Sequence, residues 1–120
     1  MIFWIASYPK SGNTWLRALL SSYYFSENGI FNQKYLKMID QFPQKSYFKN
    51  FNYDPKIVTD TSKFWTKAQE KINENNKLNF FKTHNILGAI NGNNFTNTQN
   101  TMGCIYIVRD PRNVITSLKN

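Results

Sequence analysis

The chain opens on an apolar run, Ile2–Ser7, in which only the last residue is polar. An uninterrupted run of this length, rich in Ile and aromatics, reads as a strand buried on both faces of a parallel sheet. Tyr8-Pro9-Lys10-Ser11-Gly12-Asn13 follows with Pro and Gly as breakers, and residues 14–20 are mostly helix formers with Asn13 or Thr14 available as the cap. Strand, short loop and helix make the first half of a βαβ unit. Residues 26–53 are irregular, aromatic and rich in Lys and Asn, with one helical stretch expected at 33–39. Residues 59–62 supply capping groups ahead of Phe64, Trp65, Ala68 and Ile72, whose spacing predicts a surface helix ending near Asn75. Residues 78–84 read as a strand with a polar C-terminal end, 91–100 as a polar loop, 104–108 as a second buried strand, and 113–119 as the start of a helix. Strands alternating with helices predict an α/β fold with a parallel sheet flanked by helices.

Composition narrows the function classes. At 120 residues the chain makes one domain, short for an enzyme with separate cofactor and substrate halves. With 41% hydrophobic and 17% aromatic residues it can bury a core and is not disordered. One cysteine, Cys104, excludes an internal disulfide and a Cys-based zinc site, and points to a reducing cytoplasm. The apolar start is too short to span a bilayer and lacks a basic leader, so neither a signal peptide nor a transmembrane segment is expected. Asn94-Phe95-Thr96 spells a glycosylation sequon, which carries little meaning without a leader. The net charge of +8 suits an anionic partner, although seventeen Asn beside many Lys fit a compositional bias equally well. Charge alone does not choose between a nucleic acid, an acidic surface and a phosphorylated small molecule.

Position along the strands is more informative. Ligands of open parallel sheets bind at the carboxyl ends of the strands. All three expected strands end in polar groups: Lys10-Ser11-Gly12, Lys82-Thr83-His84, and the segment from Arg109 to Ser117. In the first loop Gly12 permits close backbone approach, the helix N-terminus offers free N–H groups, Lys10 adds a charge, and Ser11 and Thr14 add hydroxyls. That combination cradles a phosphate-sized anion. Its lysine precedes the glycine, unlike the triphosphate loop in which the lysine follows a second glycine, so an ordinary nucleoside-triphosphatase is disfavoured.

Residues 7–15, Ser-Tyr-Pro-Lys-Ser-Gly-Asn-Thr-Trp, resemble the 5′-phosphosulfate loop of sulfotransferases that use 3′-phosphoadenosine-5′-phosphosulfate (PAPS), with Asn13 where Thr is usual. Residues 108–117 are similar to that family's 3′-phosphate segment, an Arg at a strand end and a Ser eight residues later, here Arg109 and Ser117. Lys82-Thr83-His84 is similar to the Lys-Thr-His at which the family places its base. The resemblance spans residues 2–117 and weakens over 26–76. It implies a P-loop NTPase-like sulfotransferase fold, PAPS as co-substrate, no metal, and a hydroxyl-bearing acceptor. It also implies His84, Lys10 and Lys82 as catalytic groups, with Lys10, Ser11, Gly12, Asn13, Thr14, Trp15, Arg109 and Ser117 holding the nucleotide.

The same residues have physical arguments beside the resemblance. Sulfuryl transfer builds negative charge on a departing oxygen, which Lys10 and Lys82 would offset. His84 is the sole histidine, and imidazole titrates nearest neutrality among side chains, as a base for a hydroxyl requires. Arg109 offers a planar fork for a phosphate, or an ion pair with Asp110 or Asp60. Ser117 reads equally as a helix-surface serine bonded back to a carbonyl. Trp15 reads as an adenine-stacking residue or as part of the apolar stripe of Leu16, Leu19 and Leu20. Two other classes remain open: a nucleotide kinase or ATPase with Asp110 near Mg²⁺, and a non-catalytic nucleotide-binding fragment or basic nucleic-acid module. No nucleic-acid signature is present, so a nucleic-acid partner is not expected. The acceptor and the oligomeric state are not legible. A sulfotransferase domain is roughly twice this long, so the expectation is a partial domain over 1–120, truncated at its C-terminus and weakly active or inactive alone.

Overall fold

A computed structural model describes all 120 residues. The opening run forms strand β1 (Ile2–Ser7), which leads through a five-residue loop to helix α1 (Asn13–Phe25). Helix α2 (Gln33–Leu36) and the two-residue strand β2 (Asp40–Gln41) follow, then two 3₁₀ turns and helix α3 (Trp65–Asn73). Strand β3 (Asn79–Thr83), a small antiparallel hairpin of β4 (Ala89–Ile90) and β5 (Asn93–Asn94), strand β6 (Thr101–Ile107) and helix α4 (Pro111–Lys119) complete the chain. The main sheet is entirely parallel with order β2-β3-β1-β6, so β1 lies inside it with β3 on one side and β6 on the other.

Residues alternate across the sheet. Trp4 and Phe81, cross-strand neighbours, face a core completed by Ile2, Phe42, Phe48, Trp65, Ala68 and Phe95. Phe42 sits at its centre, its ring 5.8 Å from Trp4 and 5.7 Å from Phe48. The opposite face carries Phe3 and Phe80, and Tyr24 of α1 packs its ring 4.8 Å from Phe80. Two buried polar side chains tie the core to the hairpin region: Gln69 donates to the Phe95 carbonyl, and Trp4 donates through Nε1 to Thr101.

Several sequence expectations are corrected. Neither Asn13 nor Thr14 caps α1; Gly12 holds the cap position, and no side chain bonds the helix end. The stretch at 33–39 is helical only over four residues, capped by Asn32. Residues 59–62 enter a 3₁₀ turn (Asp60–Phe64) with no side-chain cap, because Asp60 instead accepts from the Asp54 amide and pairs with Lys63. Helix α3 is the expected surface helix, with Trp65, Ala68 and Gln69 buried and Lys67, Glu70 and Lys71 exposed, but it ends at Asn73. The polar loop at 91–100 holds β5 and buries Phe95 and Asn100. The final strand is not buried: β6 is a sheet edge with Met102, Ile105 and Tyr106 exposed, since it has a strand neighbour on one side only.

Candidate functional site

The site begins where β1 stops. The chain turns through two left-handed residues, Lys10 (φ 63°) and Gly12 (φ 96°), before α1 starts. Such backbone is strained for a side chain like that of lysine. Arg109, which follows the end of β6, supports it by donating from Nη1 to the Lys10 carbonyl at 2.8 Å. The first intrahelical bond runs from the Leu16 amide to the Gly12 carbonyl, so the amides of Asn13, Thr14 and Trp15 have no helical acceptor. With no side-chain cap, that helix end presents free donors and a partial positive charge to an anion.

Strand alternation then builds two cavities. Lys82 lies on the α1 face of β3, and Thr83 on the opposite face. On the α1 side a cleft of about 650 Å³ is lined by Lys10, Gly12, Asn13, Thr14, Trp15, Lys82, His84, Arg109 and Ser117, together with Pro9, Ala18, Phe31 and Leu36. No carboxylate lines it. Burial, and then the nearby charge of Arg17, pull the Lys82 ammonium below its ordinary pKa. On the other side an apolar cavity of about 420 Å³ is lined by Trp4, Ala6, Ile86, Leu87, Phe95 and Tyr106, with Ser7, Tyr8, Thr83, Thr96 and Thr101 among its polar residues. His84 follows Thr83 at the strand end and lines both cavities.

The imidazole of His84 is oriented by β1. Its Nδ1 lies 2.7 Å from the Ser7 carbonyl oxygen, which can only accept, so Nδ1 carries a hydrogen, and in the neutral ring Nε2 keeps its lone pair. A neutral His in this tautomer can receive a proton at Nε2.

All but one of the residues expected at the site line the basic cleft. Ser11 is the exception: it is buried, and it lines a neighbouring apolar depression between β6 and α4 with Tyr106, Val114 and Leu118. Asn13 reaches the cleft, but its amide turns inward and donates to the Ile5 carbonyl (3.0 Å) and to Ser7 Oγ (3.1 Å). Trp15 is 70% exposed, and the apolar stripe expected with it is not core either, since Leu19 is exposed and Leu16 and Leu20 are only partly buried. Arg109 pairs with neither candidate acid, since Asp60 holds Lys63 and Asp110 holds Arg112. Asp110 also caps α4, which leaves it committed outside the cleft. Ser117 makes no bond back along its helix; the neighbouring Thr116 does, to the Arg112 carbonyl.

Two contributing residues escape sequence reading. Ser7 opens the loop motif, but nothing in the motif shows that its carbonyl holds the imidazole of His84. Arg17 is half-buried, donates to the Leu36 and Ile39 carbonyls, and brings positive charge to Lys82 from one turn into α1. Its position four residues after Asn13 is the only hint the sequence offers.

No helix is long and apolar enough to cross a membrane. Neither a curated protein nor a solved structure matches the chain. A family model does: that of the sulfotransferase domain matches residues 2–119 and so takes in the loop, both cavities and the helix that bears Ser117. A match over almost every residue, on a parallel α/β sheet whose strand ends carry this basic cleft, means that the chain belongs to the sulfotransferase family.

Proposed function

We propose that the chain binds PAPS in the basic cleft and transfers its sulfuryl group to a hydroxyl of an acceptor seated in the apolar cavity. The observation that carries this is the placement of His84, which lines both cavities with Nε2 as its bare nitrogen. In the reaction the acceptor oxygen forms a bond to sulfur as the bridging oxygen between sulfur and the 5′-phosphate departs, in line. The acceptor proton passes to His84 Nε2, and adenosine 3′,5′-bisphosphate leaves. Lys10 and the free amides of the α1 terminus meet the charge on the departing oxygen, assisted by Lys82. Arg109 and Ser117 hold the 3′-phosphate, and the exposed face of Trp15 stacks on the adenine. Trp4, Phe95, Ile86 and Leu87 suit an acceptor with an apolar body. The exposed, unpaired Cys104 fits a cytoplasmic protein.

Thermal melting with added ligands tests the reading. Adenosine 3′,5′-bisphosphate at about 100 times its Kd stabilises by about 2.7 kcal/mol and raises Tm, whereas ATP with Mg²⁺ and oligonucleotides do not. The reverse pattern sinks the reading in favour of a kinase or a nucleic-acid module. Arg109→Ala weakens the bisphosphate far more than its 3′-dephospho analogue. His84→Ala removes turnover in a form that transfers sulfate while leaving bisphosphate binding within about threefold; loss of both together makes His84 structural.

A further inference from the structure

The bonds around Asn13 and Ser7 run from the anion loop to the imidazole. Asn13 is the first residue of α1 and nearly fully buried. Its amide orientation is fixed, because the Ile5 carbonyl it faces can only accept, so the atom there is Nδ2. The second Nδ2 hydrogen goes to Ser7 Oγ. Both amide hydrogens are thus spent on β1, and Oδ1 is left buried without a partner. A side chain that leaves its own oxygen unsatisfied while both hydrogens clamp one strand end is set for what it holds. What it holds is Ser7, whose carbonyl accepts from His84 Nδ1 and whose hydroxyl lies 3.5 Å from the same nitrogen.

We infer that Asn13 is a positioning residue for His84: by clamping Ser7 it keeps the Ser7 carbonyl on Nδ1 and thereby keeps Nε2 free to take a proton. The inference rests on the reading of His84 as the base, but what it states is the tautomer of the ring. The backbone amide of Asn13 serves the anion loop while its side chain serves the imidazole, so one residue joins the two. The usual Thr of the resembling loop has one donor hydrogen, so it cannot donate to both the Ile5 carbonyl and Ser7 Oγ as Asn13 does.

His84 is the sole histidine, so long-range ¹H–¹⁵N spectra of the labelled 120-residue chain report it without ambiguity. Above the imidazole titration the ring of the unaltered chain shows a protonated Nδ1 and a bare Nε2. Asn13→Ala, which keeps the backbone amide, moves the neutral ring toward the Nε2–H form favoured in water. Asn13→Asp, of the same size but without donor hydrogens, does the same if the alanine variant does not fold. Ser7→Ala keeps the carbonyl but loses the clamp, and shifts the ring in the same direction. An Nε2–H ring in the unaltered chain overturns the inference, as does an unchanged Nδ1–H ring in a folded Asn13 or Ser7 variant. If the tautomer behaves as expected but His84→Ala still supports transfer, the role of Asn13 stands and His84 as base falls.

Discussion

Gly12→Ala isolates the backbone contribution of the anion loop. Gly12 sits at φ 96°, and a Cβ built there meets no atom within 4 Å, so the substitution introduces no clash. The whole penalty is conformational, about 1–2 kcal/mol for an L side chain held in the left-handed region. At an unfolding entropy of about 2.1 cal/mol/K per residue, that penalty lowers the Tm of a chain of this length by about 4–8 °C. Gly92 supplies the control: it has φ 77° and open surroundings, but it turns the β4–β5 hairpin and does not line the cleft. Gly92→Ala therefore matches the drop in Tm, measured by circular dichroism. The two variants part in calorimetric titration with adenosine bisphosphate. Gly12→Ala relaxes toward ordinary backbone and turns its neighbouring amides off the cleft, weakening binding about tenfold or more, whereas Gly92→Ala leaves Kd unchanged. An unaltered Tm in Gly12→Ala would refute the need for left-handed backbone, and equal losses of affinity would refute the loop as the anion cradle.

Lys82→Met raises Tm at neutral pH while abolishing transfer, because the ammonium is charged against burial and against Arg17. The sign follows from its lowered pKa. In the alkaline range below the usual 10.5 the unfolded chain binds more protons, so stability rises with pH there, and urea melts of Lys82→Met lose that rise. Phe42→Ala, at a site with no solvent exposure and the rings of five neighbours within 6.1 Å, costs about 3–5 kcal/mol of unfolding free energy, measured by urea titration. A cost under about 1 kcal/mol would mean that the aromatic core closes around the vacancy.

What was legible in the sequence is what short-range chemistry decides. The strand, loop and helix of residues 2–25 follow from an apolar run, two breakers and a helix-forming stretch, and the polar strand ends disclosed the cleft before any geometry. The strand β2 was not legible, because two polar residues carry no alternation, and only the neighbouring β3 makes Asp40 and Gln41 a strand. The run at 104–108 has the composition of a doubly covered strand, but burial depends on what lies beyond it, which no window of sequence reports. Asn13 shows a different gap. Its residue type is that of a helix cap, and its actual partners, Ile5 and Ser7, lie upstream in the strand that the loop returns to. The tautomer of His84 was beyond sequence for the same reason, since it depends on a carbonyl 77 residues away.

The bond from Arg109 to the Lys10 carbonyl has a thermodynamic consequence. A guanidinium has five N–H donors, so Arg109 can grip an anion with the others while still holding the loop. Order gained at one end then lowers the entropy lost at the other. A molecule with phosphates at both ends would bind more tightly than its two halves predict, and each half alone would sharpen the chain's affinity for the other.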